Sequence, residues 1–150
     1  MSFKKILVPT DGSELTKDAV RVAIELALLS GGKITAFCVL DSSAYASMAA
    51  DAAAPNIYET LEEEGRHATG YVAEKAGEAG VEVDEKLADG IPAKAIIHEV
   101  EAGGYDIVVM GSLGRTGVSK FLMGSVAEKV VQNAKCPVLV VKPIANHPQP

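Results

Sequence analysis

Apolar residues arrive along this chain in two alternating rhythms. Short continuous runs, such as Ile6-Leu7-Val8, Ile34 to Leu40, Ile107 to Met110 and Val138 to Val141, read as strands buried on both faces. Between them, apolar positions recur every three or four residues, the spacing of a helix with one covered side. On this pattern Lys4 to Val8 is a first strand, ended by Pro9. Asp11-Gly12-Ser13 turns into a helix whose Leu15, Ala19, Val22, Leu26 and Leu29 share a face, closed by Gly31-Gly32. Lys33 to Leu40 is a second, central strand. A second helix runs from Asn56 to Ala79, with Tyr58, Leu61, Gly65, Ala68, Val72 and Ala79 on one side. Val81 to Leu87 is more polar than the other strands, which predicts an edge position. Pro92 opens a third helix carrying Ile96, Ile97 and Val100, and Gly103-Gly104 closes it. Asp106 to Met110 is the fourth strand, Ser125 to about Ala134 the fourth helix, and Pro137 to Val141 the fifth strand. Two stretches fall outside the rhythm: Asp41 to Pro55 reads as a mobile loop, and Pro143 to Pro150, with three prolines, as a disordered tail.

Regular alternation of strand and helix predicts an α/β fold: a five-stranded parallel sheet with helices on both faces. Right-handed crossovers are the rule for each unit. Ligands in such sheets bind at the carboxyl ends of the strands, where the winding direction reverses. The chemically unusual strand ends are those after the first and fourth strands. A Rossmann-like strand order of 3-2-1-4-5 places the two side by side.

The segment after the fourth strand carries the chemistry. Between Met110 and Val126 stand Gly111, Gly114, Gly117 and Gly124, with hydroxyls at Ser112, Thr116, Ser119 and Ser125 and cations at Arg115 and Lys120. Glycines let backbone N–H groups approach a ligand closely. A helix N-terminus adds free N–H groups and the positive end of a dipole. Such a loop is built for an anion, and a phosphate chain suits it.

Composition narrows the setting. With 150 residues the chain has the length of one domain, and 48% hydrophobic with 23% charged residues is ordinary for a globular one. A net charge of −6 argues against generic nucleic-acid binding, and makes a polyanionic ligand depend on local donors. No apolar run approaches the ~20 residues of a membrane span. The start, Met1 to Lys5, has no signal-peptide pattern, and two cysteines make no disulfide framework, so a cytoplasmic setting is expected.

The spacing of Gly111, two residues, Gly114, nine residues and then Gly124-Ser125 resembles the nucleotide-binding pattern of the universal stress protein family. Val8-Pro9-Thr10-Asp11-Gly12-Ser13 and Cys136 to Val141 also sit where that family has similar segments, so the likeness runs from about Phe3 to Lys142. The resemblance implies an ATP-binding regulatory or stress-response module, dimeric through its fifth strand, 137–142, with an unidentified protein partner; separately, Asp11 beside phosphates is suited to recruit Mg²⁺. It also implies nucleotide contacts at Pro9, Thr10, Asp11, Val39, Met110, Gly111, Gly114, Arg115, Gly124, Ser125 and Val126. In that pattern Asp11 and the backbone of Val39 meet the base.

The residues themselves leave alternatives open. Asp11 suits an ordinary turn as well as a ligand. Ser125-Val126-Ala127-Glu128 has the form of a capping box, which is compatible with a phosphate contact. Arg115 and Lys120 either neutralise phosphate or are solvated. Gly12 stands alone after the first strand, so the dinucleotide fingerprint is missing, and no Gly-Lys-Ser/Thr ends the loop, so it is not a Walker P-loop. His67, His98 and His147 have no partner spacing, and no Cys/His cluster points to zinc. The reading is therefore a binder rather than an enzyme. A slow Mg-dependent ATP hydrolase, or a family member that holds no nucleotide, are the alternatives.

Overall fold

The computed structural model describes residues 2–41, 57–113 and 123–143. Its elements are β1 (Lys5–Pro9), a 3-10 turn (Glu14–Thr16), α1 (Lys17–Ser30), β2 (Lys33–Asp41), α2 (Ile57–Glu78), β3 (Val83–Gly90), α3 (Pro92–Gly103), β4 (Ile107–Gly111), α4 (Ser125–Asn133) and β5 (Val138–Val141). The five strands are parallel in the order β3-β2-β1-β4-β5, as the sequence pattern predicts. The expected loop at 41–55 and tail at 143–150 lie almost entirely outside the described residues, as do Gly114, Arg115 and Lys120.

Strand alternation splits the core into two layers. Ile6 and Val8 of β1 point to one face, where they meet Ala19, Val20, Ala23 and Ala27 of α1 and Val72 and Ala76 of α2. Leu7 points to the other, against Ile96 and Val100 of α3 and Ala127 and Val130 of α4. Ile6, Leu7 and Val8 are each fully buried, because β1 has a strand on both sides and helices on both faces. Burying each such side chain is worth about 2 kcal/mol.

The covered side of α1 differs from expectation. Ala19, Val20, Ala23 and Ala27 face the sheet, while Leu29 is 87% exposed and Val22 and Leu26 flank the contact. Alanines let the helix axis approach the strands closely, and the bulkier side chains fill the margins. On α2 the buried set is Gly65, Ala68, Thr69, Val72 and Ala76; Tyr58 is exposed, and Ala79 lies one residue past the end of the helix, also exposed. Gly65 is there for space, since a Cβ would lie 2.9 Å from Leu40 and 3.1 Å from Leu87.

β3 begins and ends later than its apolar pattern predicts, because it pairs with β2 from Val83 opposite Ile34 to Gly90 opposite Asp41. It is an edge strand, with Asp84, Glu85 and Lys86 exposed. The opposite edge, β5, exposes Leu139 at 39%. No helix among the described residues is long and apolar enough to cross a membrane.

Candidate nucleotide site

At the carboxyl ends of β1, β2 and β4 the sheet opens into a cavity of about 650 Å³. Three strand ends and two helix starts meet there, and each is held by its own local chemistry.

After β1 the chain is steered by hydroxyls. Thr10 extends the ladder by one bond, donating its N–H to Phe37 O at 2.9 Å. Its Oγ1 accepts from the Gly12 N–H at 3.1 Å and lies 3.2 Å from Thr16 Oγ1. Thr16 gives its own proton to Ser13 O at 2.8 Å, so Thr10 must be the donor to Thr16. Both hydroxyls are thereby occupied in shaping the turn. Gly12 sits at φ +80°, which glycine adopts without strain, and a Cβ there would lie 3.2 Å from Ala68 Cβ. Asp11 Oδ1 accepts from the Ser13 N–H at 2.9 Å, forming the turn its residue type predicts while still lining the cavity.

After β4 the chain is steered by backbone. Gly111 passes so near the 3-10 turn that a Cβ would lie 3.3 Å from Leu15 O. Ser112 donates its N–H to Val141 O at 3.0 Å, and its carbonyl accepts from the Gly124 N–H at 2.6 Å. That second bond seats the start of α4 directly on the end of β4. Gly124, not Ser125, is the N-cap, and no side chain caps this helix. The capping box is therefore corrected: Ser125 lies one position too far into the helix to act as the cap. Glu128 N–H donates to Gly124 O at 3.0 Å, which leaves the N–H groups of Ser125, Val126 and Ala127 without helical acceptors.

Pro9, Thr10, Asp11, Val39, Met110, Gly111, Gly124, Ser125 and Val126 all line this one cavity. Gly114 and Arg115 fall outside the described residues. The sequence pattern missed several wall residues. Phe37 and Ile96 are apolar and gave no signal beyond their core spacing, whereas Asp41 and Glu64 add carboxylates on the side of β2 and α2. Ser112 was named as a loop hydroxyl but not as a contact. His67 and His98 are exposed on α2 and α3, away from the cavity lining. Among the described residues no group of three or more His, Cys, Asp or Glu side chains is placed to hold a metal ion.

A parallel sheet wound 3-2-1-4-5, with a glycine-cleared helix start facing a mostly apolar cavity at its switch point, defines a doubly wound, Rossmann-like α/β protein. Comparison with known proteins makes the class specific. The family model of the universal stress proteins matches residues 2–142, and the chain belongs to this family. It is 41% identical over 140 residues to universal stress protein MJ0531 of Methanocaldococcus jannaschii, covering 93% of this chain and 82% of that one. Its fold is similar to the solved structure of the protein MJ0577, with a TM-score of 0.83, 31% identity, and coverage of 95% and 97%. More distant members share the fold. A universal stress protein solved with cAMP has a TM-score of 0.66 at 24% identity, covering 95% of this chain and 99% of its own. One from Arabidopsis thaliana with AMP bound has a TM-score of 0.71 at 22%, covering 95% and 96%.

Proposed function

We propose that this chain is a regulatory binding protein for an adenine nucleotide, ATP among them, and not a catalyst. The observation that carries this reading is the division of the cavity into two unlike ends. Towards α4, three backbone N–H groups and the positive end of a helix dipole favour anionic oxygens. Towards β2 and α2, the carboxylates of Asp11, Asp41 and Glu64 repel phosphate and suit the amino and hydroxyl groups of a base and sugar. Val39, Ile96 and Met110 supply apolar surface for a flat ring between these ends. Phosphate then lies over Gly124, Ser125 and Val126, with the base near Val39 and Asp11. Adenine nucleotides in the cAMP- and AMP-bound family members support the ligand class.

The test is mass spectrometry of the purified protein after denaturation, followed by calorimetry with ATP and AMP. Co-purified adenine nucleotide, or saturable binding of either, is the expected result. Absence of both overturns the reading. ATP is expected to survive prolonged incubation with Mg²⁺. Hydrolysis at ~1 s⁻¹ or faster that vanishes in Asp11→Ala would replace binder with enzyme.

The regulatory half of the proposal rests on β5. Its outer edge is apolar and carries Leu139 exposed, an arrangement that proteins normally blunt. Antiparallel pairing of two β5 strands about a twofold axis covers it. Leu139→Lys places like charges on both strands and should give monomers by sedimentation, whereas wild type should be dimeric. A wild type that stays monomeric at ~100 μM removes the dimer from the proposal.

A further inference from the structure

A second cavity, of about 590 Å³, lies between α2 and the edge strand β3. Tyr58, Glu62, Arg66 and Thr69 line it from the helix, one residue every three or four, and so from a single face. Leu61, Glu64 and Gly65, on another face of the same helix, line the first cavity. The helix therefore stands between two separate hollows, and the outer one has no part in the nucleotide reading.

Strand alternation gives this groove its chemistry. Glu85, Leu87 and Asp89 are successive residues on one face of β3, so the wall reads carboxylate, alkyl, carboxylate. The two acids stand four residues apart, ~13 Å along an extended strand. A hydroxyl from α2 orients each of them. Thr69 Oγ1 donates to Glu85 Oε1 at 3.0 Å, and the Tyr58 hydroxyl lies 3.1 Å from both oxygens of Asp89. A hydroxyl fixes a carboxylate without neutralising it. Among the described residues no cation pairs with Glu85 or Asp89, whereas Glu62 is answered by Arg66. The surrounding charge acts in the same direction. Between Ile57 and Gly90 stand ten carboxylates and three cations, an excess that accounts for the whole of the chain's net −6. Such a field draws cations to the groove.

We propose that the groove is a binding site for a linear aliphatic polyamine. One ammonium group rests on Glu85 and another on Asp89, and the methylene chain between them covers Leu87 and the neighbouring Leu40. The alternation of acid and alkyl along the wall matches the alternation of charge and alkyl in such a molecule. A metal ion does not fit, because its ligands lie within about 2.6 Å of it and acids this far apart cannot share one. The inference goes beyond the nucleotide reading and does not rest on it, since among the described lining residues the two cavities share only Leu40.

Calorimetry on the full chain with the terminal diamines of butane and of octane tests this, because the two carry the same charge and differ in reach. Wild type should bind the octane diamine saturably, one molecule per chain. The butane diamine, too short to touch both acids, should bind about fivefold more weakly, the value of one exposed ion pair. Glu85→Gln/Asp89→Asn should weaken the octane diamine about tenfold, the value of two such pairs. Glu25→Gln/Glu101→Gln removes the same charge from exposed positions on α1 and α3 and should stay within about twofold of wild type. Absence of saturable binding by wild type overturns the inference. Equal affinity for the two diamines also overturns it, since span is then not read, and this comparison needs no variant to fold. An equal loss in the two double variants overturns it as well, because the attraction then belongs to the whole chain and not to the groove.

Discussion

The two ends of the sheet are built on opposite plans. At the amino end, polar groups answer one another within the chain. Asp106 Oδ2 accepts from the backbone N–H groups of Lys4 at 2.8 Å and Lys5 at 2.9 Å. Ser30 Oγ donates to Phe3 O at 2.9 Å, and Lys5 Nζ donates to Gly103 O. Nearby, Glu99, only 7% exposed, accepts from Lys86 at 2.8 and 3.0 Å and from the Tyr105 hydroxyl at 2.8 Å. At the carboxyl end the chain instead leaves donors over: three helix N–H groups and the Ser112 hydroxyl surround a cavity. One end uses its polarity to hold the fold together and the other keeps it in reserve. The difference teaches where to look for function. In a sheet of this kind it lies where the hydrogen-bond inventory does not close.

The sharpest way to break that contrast is Gly124→Val. A Cβ there would stand 3.3 Å from Ser112 O, and a branched side chain would occupy the space above the free N–H groups. Nucleotide affinity should fall by about a hundredfold or more in calorimetry, the equivalent of ~2.7 kcal/mol. Urea stability should drop by only ~1 kcal/mol, since Gly124 has an extended φ of −77° that valine also adopts. Affinity equal to wild type would mean that the carboxyl end is not the binding end.

Asp106→Ala should do the reverse. It removes the acceptor for two backbone N–H groups at the amino end, and half-exposure moderates the loss to ~2 kcal/mol in urea unfolding. Affinity for AMP should be unchanged. A matching loss of affinity would dissolve the distinction between the ends.

A smaller effect sharpens the amino end further. Burial, joined by the neighbouring Glu99 carboxylate, pushes the Tyr105 phenol up to about 12 from its ordinary 10.0. A raised folded value means that the neutral phenol stabilises the fold. This contribution is complete below pH 10, where unfolded tyrosine is also neutral, and is lost as pH rises towards 12. Tyr105→Phe should flatten the fall in stability across that window, measured by urea titration at each pH, and leave neutral-pH binding unaltered. An unchanged slope would show that Tyr105 does not govern it.

Much of this plan was legible in the chain. Ile6-Leu7-Val8 and Ile107 to Met110, apolar on both sides, announced central strands, and the polarity of Val81 to Leu87 announced an edge. The errors share one cause, which is that tertiary packing chose among options local pattern left open. Large side chains on α1 pointed to a face through Leu29; Ala19 is buried as expected, but close helix-to-sheet approach selected Ala23 and Ala27 in place of Leu29. β3 extends to Gly90 because β2 is long enough to pair with it, although Ala88-Asp89-Gly90 has no strand signature of its own. Ser125-Val126-Ala127-Glu128 has capping-box spacing, yet the bond from Gly124 N–H to Ser112 O sets the helix start one residue earlier. The cavity was legible where glycines and the Asp11 turn marked it. The wall contributed by Phe37, Asp41 and Glu64 was not, because core and surface residues become neighbours there only through strand order.

The unequal edges of the sheet carry a consequence for assembly. Asp84, Glu85 and Lys86 make β3 a poor template for another strand, whereas β5 has no strand on its outer side among the described residues and exposes Leu139. Joining two copies through β5 would create one continuous sheet of twice the width, with a charged β3 at each margin. Neither margin could accept a third copy, so growth would end after a single step. Such pairing would make a separate cap against fibre formation unnecessary, because it would consume the only inviting edge of the described sheet and leave two that terminate it.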